Sequence, residues 1–157
     1  TAHVGFQTSK DLYKTSADKS HINYVVCDSD WEAEFARVAE QHPNVICYVK
    51  NQGLGLEVPY KDGSAARLYL PDFIVQLDDG HGHENPLHLI VEVKGYRNEA
   101  VKLKSETMNN KWIPGVNNLK SYGRWAFVEF KDVYEMDKEF KGLIDRVVGE
   151  AIKTEAA

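Results

Sequence analysis

Two short segments carry the residue types from which a metal-dependent hydrolase is built. Pro71-Asp72 lies within the apolar run 68–77, and Glu92-Val93-Lys94 closes the apolar run 87–94. Both runs are rich in Leu, Ile, Val and aromatic residues, and each has the length of one buried strand. The intervening residues 78–86 contain Asp, Gly, Asn and Pro, which predicts a turn. The sequence therefore predicts an antiparallel hairpin with an acid on each strand.

The register of this hairpin decides whether the two acids can act together. If Leu77 lies opposite Leu87, then Asp72 lies opposite Glu92, and strand alternation places Glu92 and Lys94 on one face. Two carboxylates buried this close together disfavour each other's charge unless a cation holds them. The pattern therefore predicts a divalent metal site at Asp72 and Glu92.

The predicted carboxylate pair and its lysine suit phosphodiester hydrolysis. Carboxylate oxygens are hard ligands for Mg²⁺, which keeps several waters and uses one or two protein carboxylates beside a substrate phosphate. A bound metal ion makes a water more acidic and neutralises charge on the phosphate. The ammonium group of Lys94 is suited to orienting the attacking water or balancing the developing negative charge.

The distribution of charge along the chain bears on a nucleic-acid substrate. The formal net charge is −5, which taken alone disfavours nucleic acid. Residues 94–124, however, contain seven basic and two acidic residues, a net charge of +5. Arg97, Lys102 and Lys104 in this segment are the predicted phosphate-backbone contacts. Charge alone is equally compatible with a solvated helix face.

Hydrophobic periodicity predicts how the remaining elements position this hairpin. Ser29-x-x-Glu32 is a capping box that opens a helix to about Gln41, with an apolar stripe that should pack on a sheet. Further expected elements are a strand at 45–50, a helix at about 98–108 ended by residues 111–115, a strand at 125–130 and a final amphipathic helix. Residues 1–28 are predicted to form an N-terminal extension of short strands or a linker, and residues 29–157 the domain proper.

Two acids of the first helix are candidates for a third metal ligand. Glu32 and Glu34 flank the apolar stripe that contains Phe35, so either could lean over the sheet edge toward a metal ion. The competing interpretations are a helix cap for Glu32 and a surface acid for Glu34.

Composition limits the class of protein. The 157 residues are 43% hydrophobic and 27% charged, which is typical of one globular domain. No apolar run approaches the ~18 residues of a membrane span, and no secretory signal pattern is present. Cys27 and Cys47 match no zinc motif and are predicted to be reduced thiols of a cytoplasmic protein. His81-x-His83 is predicted to be an exposed polar loop, with a zinc site as the alternative.

With P-D on one strand, E-x-K on the next and a basic helix after it, the chain resembles the PD-(D/E)XK nuclease superfamily. More closely, it resembles the C-terminal endonuclease domain of type III restriction enzyme restriction subunits over about residues 20–140. The stretches that carry this resemblance are Ser29-Asp30-Trp31-Glu32, Leu70-Pro71-Asp72-Phe73, Val91-Glu92-Val93-Lys94-Gly95 and Trp112-Ile113-Pro114-Gly115-Val116-Asn117-Asn118.

The resemblance implies a fold and a set of roles. The fold would be α/β, a restriction-endonuclease-like core with a mixed central β-sheet flanked by helices. Mg²⁺, or Mn²⁺ as a substitute, would be bound by Asp72, Glu92 and the backbone carbonyl of Val93. The helix acid used by some members would be Glu32 rather than Glu34, and Lys94 would be the catalytic lysine.

The resemblance also implies partners, and it leaves one alternative open. The substrate would be double-stranded DNA, and the partners would be helicase domains of the same parent chain and a methyltransferase subunit. Because the chain contains no G-x-x-x-x-G-K-[ST], translocation is not expected in these residues. A double-strand break needs two active sites, which implies a dimer or a paired complex. The alternative is a non-catalytic DNA-binding or subunit-docking module with the same fold.

Overall fold

The structure, a computed structural model, describes residues 3–93 and 99–155. The strands in these ranges are β1 (Asp11–Lys14), β2 (Tyr24–Cys27), β3 (Val45–Lys50), β4 (Val58–Asp62), β5 (Ala65–Tyr69), β6 (Phe73–Leu77), β7 (Leu87–Val93) and β8 (Arg124–Phe130). The helices are α1 (Asp30–Gln41), α2 (Glu99–Thr107), α3 (Ile113–Leu119) and α4 (Met136–Glu155), with a π-helical segment (Met108–Trp112) between α2 and α3. Within the described ranges, no helix combines the length and the apolar character needed to cross a membrane.

A mixed four-stranded sheet forms the centre of the fold. Its strand order is β3-β6-β7-β8, and the first two pairs are antiparallel whereas β7 and β8 are parallel. A parallel pair needs a long crossover, which α2, the π-helical segment and α3 supply here. The predicted class, an α/β fold with a mixed central sheet flanked by helices, is confirmed.

The predicted register of the central hairpin is also confirmed. Leu77 lies opposite Leu87, and Phe73 lies opposite Val91. Continuing this register by one residue places Asp72 opposite Glu92. The backbone N–H of Asn51 donates to the Asp72 carbonyl at 2.8 Å, which extends the pairing of β3 with this chain segment past the start of β6. Asp72 is thus held at the end of the sheet by its backbone.

The two faces of the sheet are covered by different elements. On the side called here the helix face, α1 and α4 bury apolar side chains that include Phe35 and Phe140 against Phe73, Leu89 and Val91. The opposite side, called here the hairpin face, is covered by the β4–β5 hairpin, by α2 and by the π-helical segment. Its core contains Val58, Tyr60, Tyr69, Ile90 and Met108. Because side chains alternate along β7, Glu92 shares the hairpin face with Ile90.

The run 68–77, predicted as one strand, is two strands in two different sheets. β5 ends at Tyr69, and β6 begins only at Phe73. Pro71 lies between them and has no N–H to donate to a ladder, so it favours a break at this position. The prediction was wrong here, and the consequence is that β5 leaves the central sheet to pair with β4.

The predicted stop of the second helix at residues 111–115 was also wrong. The π-helical segment carries the chain from α2 directly into α3, and Pro114 lies in the first turn of α3. Pro114 has no N–H to donate inside this continuous helical segment, and the irregular π-helical turn lies directly before it.

The N-terminal residues pack on the domain. Of the alternatives expected for this segment, short strands are present, as the antiparallel β1–β2 hairpin. Val25 is buried in the core of the helix face. The Tyr13 hydroxyl donates to the Glu40 carboxylate at 2.9 Å, and the Tyr48 N–H donates to the Lys19 carbonyl at 2.8 Å. These contacts dock the segment on α1 and β3.

Candidate active site

Asp72 and Glu92 are brought together where β6 begins and β7 ends. The Asp72 carboxylate accepts the backbone N–H of Val93 at 2.8 Å, so it lies against the peptide unit that follows Glu92. Glu92 is buried, with 3% of its surface exposed. The hydrogen bond across the two strands therefore fixes the Asp72 side chain beside the second acid, as the sequence predicts.

A tyrosine from the neighbouring hairpin contacts the second acid directly. The Tyr69 hydroxyl donates to Oε2 of Glu92. Tyr69 is almost fully buried, and burial raises the pKa of its phenol. The negative charge of Glu92, the hydrogen bond to it, and the charges of Asp72 and Glu129 raise this pKa further. Tyr69 is therefore a protonated donor at neutral pH, and three carboxylates lie near its hydroxyl.

Glu129 is the third of these carboxylates, and the sequence reasoning missed it. It lies opposite Glu92 in the parallel β7–β8 pairing, so both side chains are on the hairpin face. Its carboxylate accepts the Ser105 hydroxyl at 2.9 Å and lies 3.6 Å from the ammonium of Lys131. The sequence does contain a feature that could have identified Glu129, because it is a single acid within the apolar strand 124–130. Glu92 likewise is a single acid within an apolar strand.

Lys104, one of the predicted DNA contacts, lies over two tyrosine rings of the β4–β5 hairpin. Its ammonium nitrogen is 5.0 Å from the centre of the Tyr69 ring and 6.0 Å from that of Tyr60. Contacts of this kind hold a cation over an aromatic face. Lys102 is a more exposed residue of the same helix, and its ammonium lies 3.8 Å from the Glu106 carboxylate. Lys94 and Arg97, which complete the predicted set, lie outside the described residues.

Within the part of the chain that the structure describes, Glu32, the predicted third metal ligand, forms no metal-binding group with Asp72 and Glu92. It is buried on the helix face, where its carboxylate lies 2.6 Å from the Lys50 ammonium and accepts the Asp28 N–H at 2.6 Å. Burial lowers the pKa of Lys50, but hydrogen bonds to Glu32 and Asp28 outweigh it and raise that pKa overall. This glutamate therefore has a cationic partner within the protein.

The physical reason for the separation is the orientation of the first helix. Phe35 and Ala39 of α1 pack against the helix face, whereas Glu92 alternates to the opposite side of β7. Glu34, the alternative ligand, forms a 2.5 Å ion pair with Arg37, and this hydrogen bond lowers the pKa of Glu34.

The donor set at Asp72 and Glu92 fits Mg²⁺. Within residues 3–93 and 99–155, no group of three or more His, Cys, Asp or Glu side chains is arranged to hold a metal ion. Mg²⁺ needs only one or two carboxylates because it keeps waters and uses substrate oxygens. The loop histidines, by contrast, contact single acids: His81 lies 3.2 Å from Asp79, and His83 lies 3.5 Å from Asp78.

Comparison with known proteins identifies a family. The family model described as Endonuclease domain matches residues 18–134, which include Asp72, Glu92, Glu129 and the whole central sheet. The match begins before β2, so part of the docked N-terminal segment lies within it. No curated protein and no solved structure gives a significant match to the chain.

Proposed function

The chain belongs to the endonuclease-domain family, and on that premise we propose that it is a Mg²⁺-dependent DNA endonuclease domain of the PD-(D/E)XK type. The observation that carries this proposal is the pairing of Asp72 with Glu92. Their strands have the predicted register, and the Asp72 carboxylate accepts the N–H of Val93 at 2.8 Å. Two acids held beside each other at a strand end are suited to one hard cation.

Each residue of the proposed site has a distinct task. Asp72, Glu92 and the backbone carbonyl of Val93 would hold Mg²⁺, with Mn²⁺ as a substitute. The chemistry supplied by the bound ion is a more acidic water and neutralisation of phosphate charge. Lys94 would orient the attacking water and balance charge on the phosphate. Glu32 is assigned a structural task instead, because its carboxylate is paired with Lys50.

The proposed substrate is double-stranded DNA, bound through the basic segment that follows β7. Lys104 lies over Tyr69, whose hydroxyl contacts Glu92, so a phosphate bound by Lys104 would lie near the proposed metal site. Arg97 and Lys102 would extend the contact along the DNA backbone. Such contacts position the duplex without reading its sequence.

The setting we propose is a type III restriction enzyme. Helicase domains of the same parent chain would move the DNA, a methyltransferase subunit would choose the target, and two copies of the site would make a double-strand break. The proposed location is the cytoplasm, and its reducing conditions are compatible with Cys27 and Cys47, which form no disulfide with each other.

Cleavage of plasmid DNA by the 157-residue chain with Mg²⁺ tests this function. We expect Asp72→Asn and Glu92→Gln each to lower the cleavage rate by more than about 100-fold, above the usual loss for residues that only support a ligand. The matched control is Glu139→Gln, which removes an exposed acid from α4 and should cleave like the wild type. Wild-type cleavage by Asp72→Asn or Glu92→Gln would refute the proposed site. DNA binding without any cleavage by the wild type would favour the docking module.

A further inference from the structure

Tyr69 reaches the proposed metal site from a different sheet. It belongs to β5, which pairs with β4 and not with the central sheet. Its hydroxyl nevertheless donates to one named oxygen, Oε2 of Glu92. Because Tyr69 and Glu92 lie in different sheets, the Tyr69 hydroxyl restrains the Glu92 carboxylate independently of β7.

The position of this hydroxyl is fixed by packing. Tyr69 is 2% exposed, and Val58, its partner across the hairpin, is fully buried beside Ile90 and Met108. The ammonium of Lys104 lies over the ring at 5.0 Å from its centre. Tight packing of this kind holds a side chain in one rotamer. Packing therefore restrains the position of the hydroxyl independently of Glu92.

A hydrogen bond to one carboxylate oxygen limits how that carboxylate can bind a metal. Coordination through both oxygens requires both to face the ion, whereas Oε2 of Glu92 faces the Tyr69 hydroxyl. Ca²⁺ takes six to eight oxygens and often uses both oxygens of a carboxylate. Mg²⁺ demands near-octahedral geometry with shorter bonds, which one-oxygen coordination satisfies.

We propose that Tyr69 is a positioning residue that keeps Glu92 in one-oxygen coordination, so that the site binds Mg²⁺ and Mn²⁺ in preference to Ca²⁺. This inference rests on the proposed function, because it requires Glu92 to be a metal ligand. Tyr69 itself does not touch the metal ion, the DNA or the attacking water. By holding the Glu92 carboxylate, Tyr69 makes the site selective for Mg²⁺ and Mn²⁺ over Ca²⁺.

The test is the affinity of the 157-residue chain for Mn²⁺ and for Ca²⁺, measured by titration calorimetry without DNA. For Tyr69→Phe we expect the Kd for Mn²⁺ to rise about 10-fold, as for other residues that orient a metal ligand. The Kd for Ca²⁺ should rise much less, because the released carboxylate can then offer both oxygens. The ratio of the two Kd values should therefore narrow several-fold relative to the wild type.

A matched control and a separate variant distinguish the possible failures. Tyr48 is another buried tyrosine, and its hydroxyl donates to the Glu40 carboxylate at 2.8 Å, so Tyr48→Phe should leave both affinities unchanged. If the wild type and Glu92→Gln bind Mn²⁺ equally, the proposed function fails. If Glu92→Gln loses Mn²⁺ but Tyr69→Phe keeps the wild-type ratio of affinities, only the Tyr69 inference is overturned.

A measurement on the wild type keeps the inference testable even if Tyr69→Phe does not fold. Infrared difference spectra on addition of Mn²⁺ report the separation of the two carboxylate stretching bands. Bands that disappear in Glu92→Gln belong to Glu92. A wide separation for these bands indicates one-oxygen coordination and supports the inference. A narrow separation indicates coordination through both oxygens and overturns it.

Discussion

Two buried glutamates on opposite faces of the central sheet have very different surroundings. Glu32, on the helix face, lies 2.6 Å from the ammonium of Lys50. Glu92, on the hairpin face, accepts the hydroxyl of Tyr69, and Asp72 and Glu129 lie near the same hydroxyl. Both glutamates are at most 5% exposed, so burial does not distinguish them.

The partners described for the two glutamates differ in chemical type. An ammonium neutralises the carboxylate that it contacts, so Glu32 and Lys50 form an ion pair without an external ion. A phenol hydroxyl orients a carboxylate but adds no positive charge. Glu92 also shares its surroundings with Asp72 and Glu129, and a group of buried acids is a candidate for a functional site. The predictions below begin with a direct test of this contrast, which also has the largest expected effect.

Removal of the ammonium on the helix face should be strongly destabilising. Lys50→Met leaves the buried Glu32 carboxylate without this partner, and we expect the free energy of unfolding to fall by about 3–5 kcal/mol. Urea denaturation at pH 7 measures the loss. Glu92→Gln, which removes a charge from among other acids, should leave the stability nearly unchanged or increase it.

The double variant Glu32→Gln/Lys50→Met sharpens this comparison. Because it removes both charges, it should be less destabilised than Lys50→Met alone. If Glu32→Gln keeps its fold but loses Mn²⁺ affinity as Glu92→Gln does, Glu32 is a metal ligand after all and the contrast between the two faces fails.

A third buried acid, Asp79, gives a prediction of intermediate size with a defined pH dependence. Burial raises the pKa of Asp79, but hydrogen bonds from Arg124 at 2.7 Å and from His81 outweigh it and lower that pKa overall. A carboxylate with a lowered folded-state pKa stabilises the fold above its unfolded pKa of about 3.9, and this contribution is lost as the pH falls through the folded value.

Arg124→Gln should therefore lower the free energy of unfolding by about 1.5–3 kcal/mol at pH 7, the range for hydrogen bonds to charged groups. The difference in the free energy of unfolding between Arg124→Gln and the wild type should become smaller as the pH falls below about 4. Urea denaturation at several pH values measures it. A difference that stays constant down to pH 2 would show that the effect of Arg124 does not depend on the charge of Asp79.

The smallest expected effect concerns the cation on the hairpin face. Lys104→Gln should weaken DNA binding in Ca²⁺ several-fold and reduce the slope of log affinity against log salt by about 1. The matched control is Lys138→Gln, because Lys138 is an exposed lysine of α4, which covers the helix face. Equal losses for the two variants would show that only net charge matters and that Lys104 makes no specific contact.

The sequence by itself determined the elements whose signals are local. The S-x-x-E pattern predicted the observed start of α1 after Ser29, although the Ser29 side chain makes no capping hydrogen bond, and β-branched runs predicted β3 and β7. The turn residues predicted a hairpin, and the register supposed for it, with Leu77 opposite Leu87, is the one observed and carries Asp72 and Glu92 to the same place. These predictions were correct because alternation and turn chemistry act over a few residues.

Only the tertiary structure decided which other residues surround Glu92. Pro71 interrupts the predicted strand, and the residues before it form β5, which pairs with β4. This pairing places the Tyr69 hydroxyl against the Glu92 carboxylate. The parallel crossover brings Glu129, distant in the chain, opposite Glu92. The apolar stripe on α1 predicted that this helix packs on a sheet, but it did not predict on which face. The stripe therefore left Glu32 open as a metal ligand. Periodicity describes the rotation of an element about its own axis, whereas the position of that element in the fold depends on contacts between distant segments.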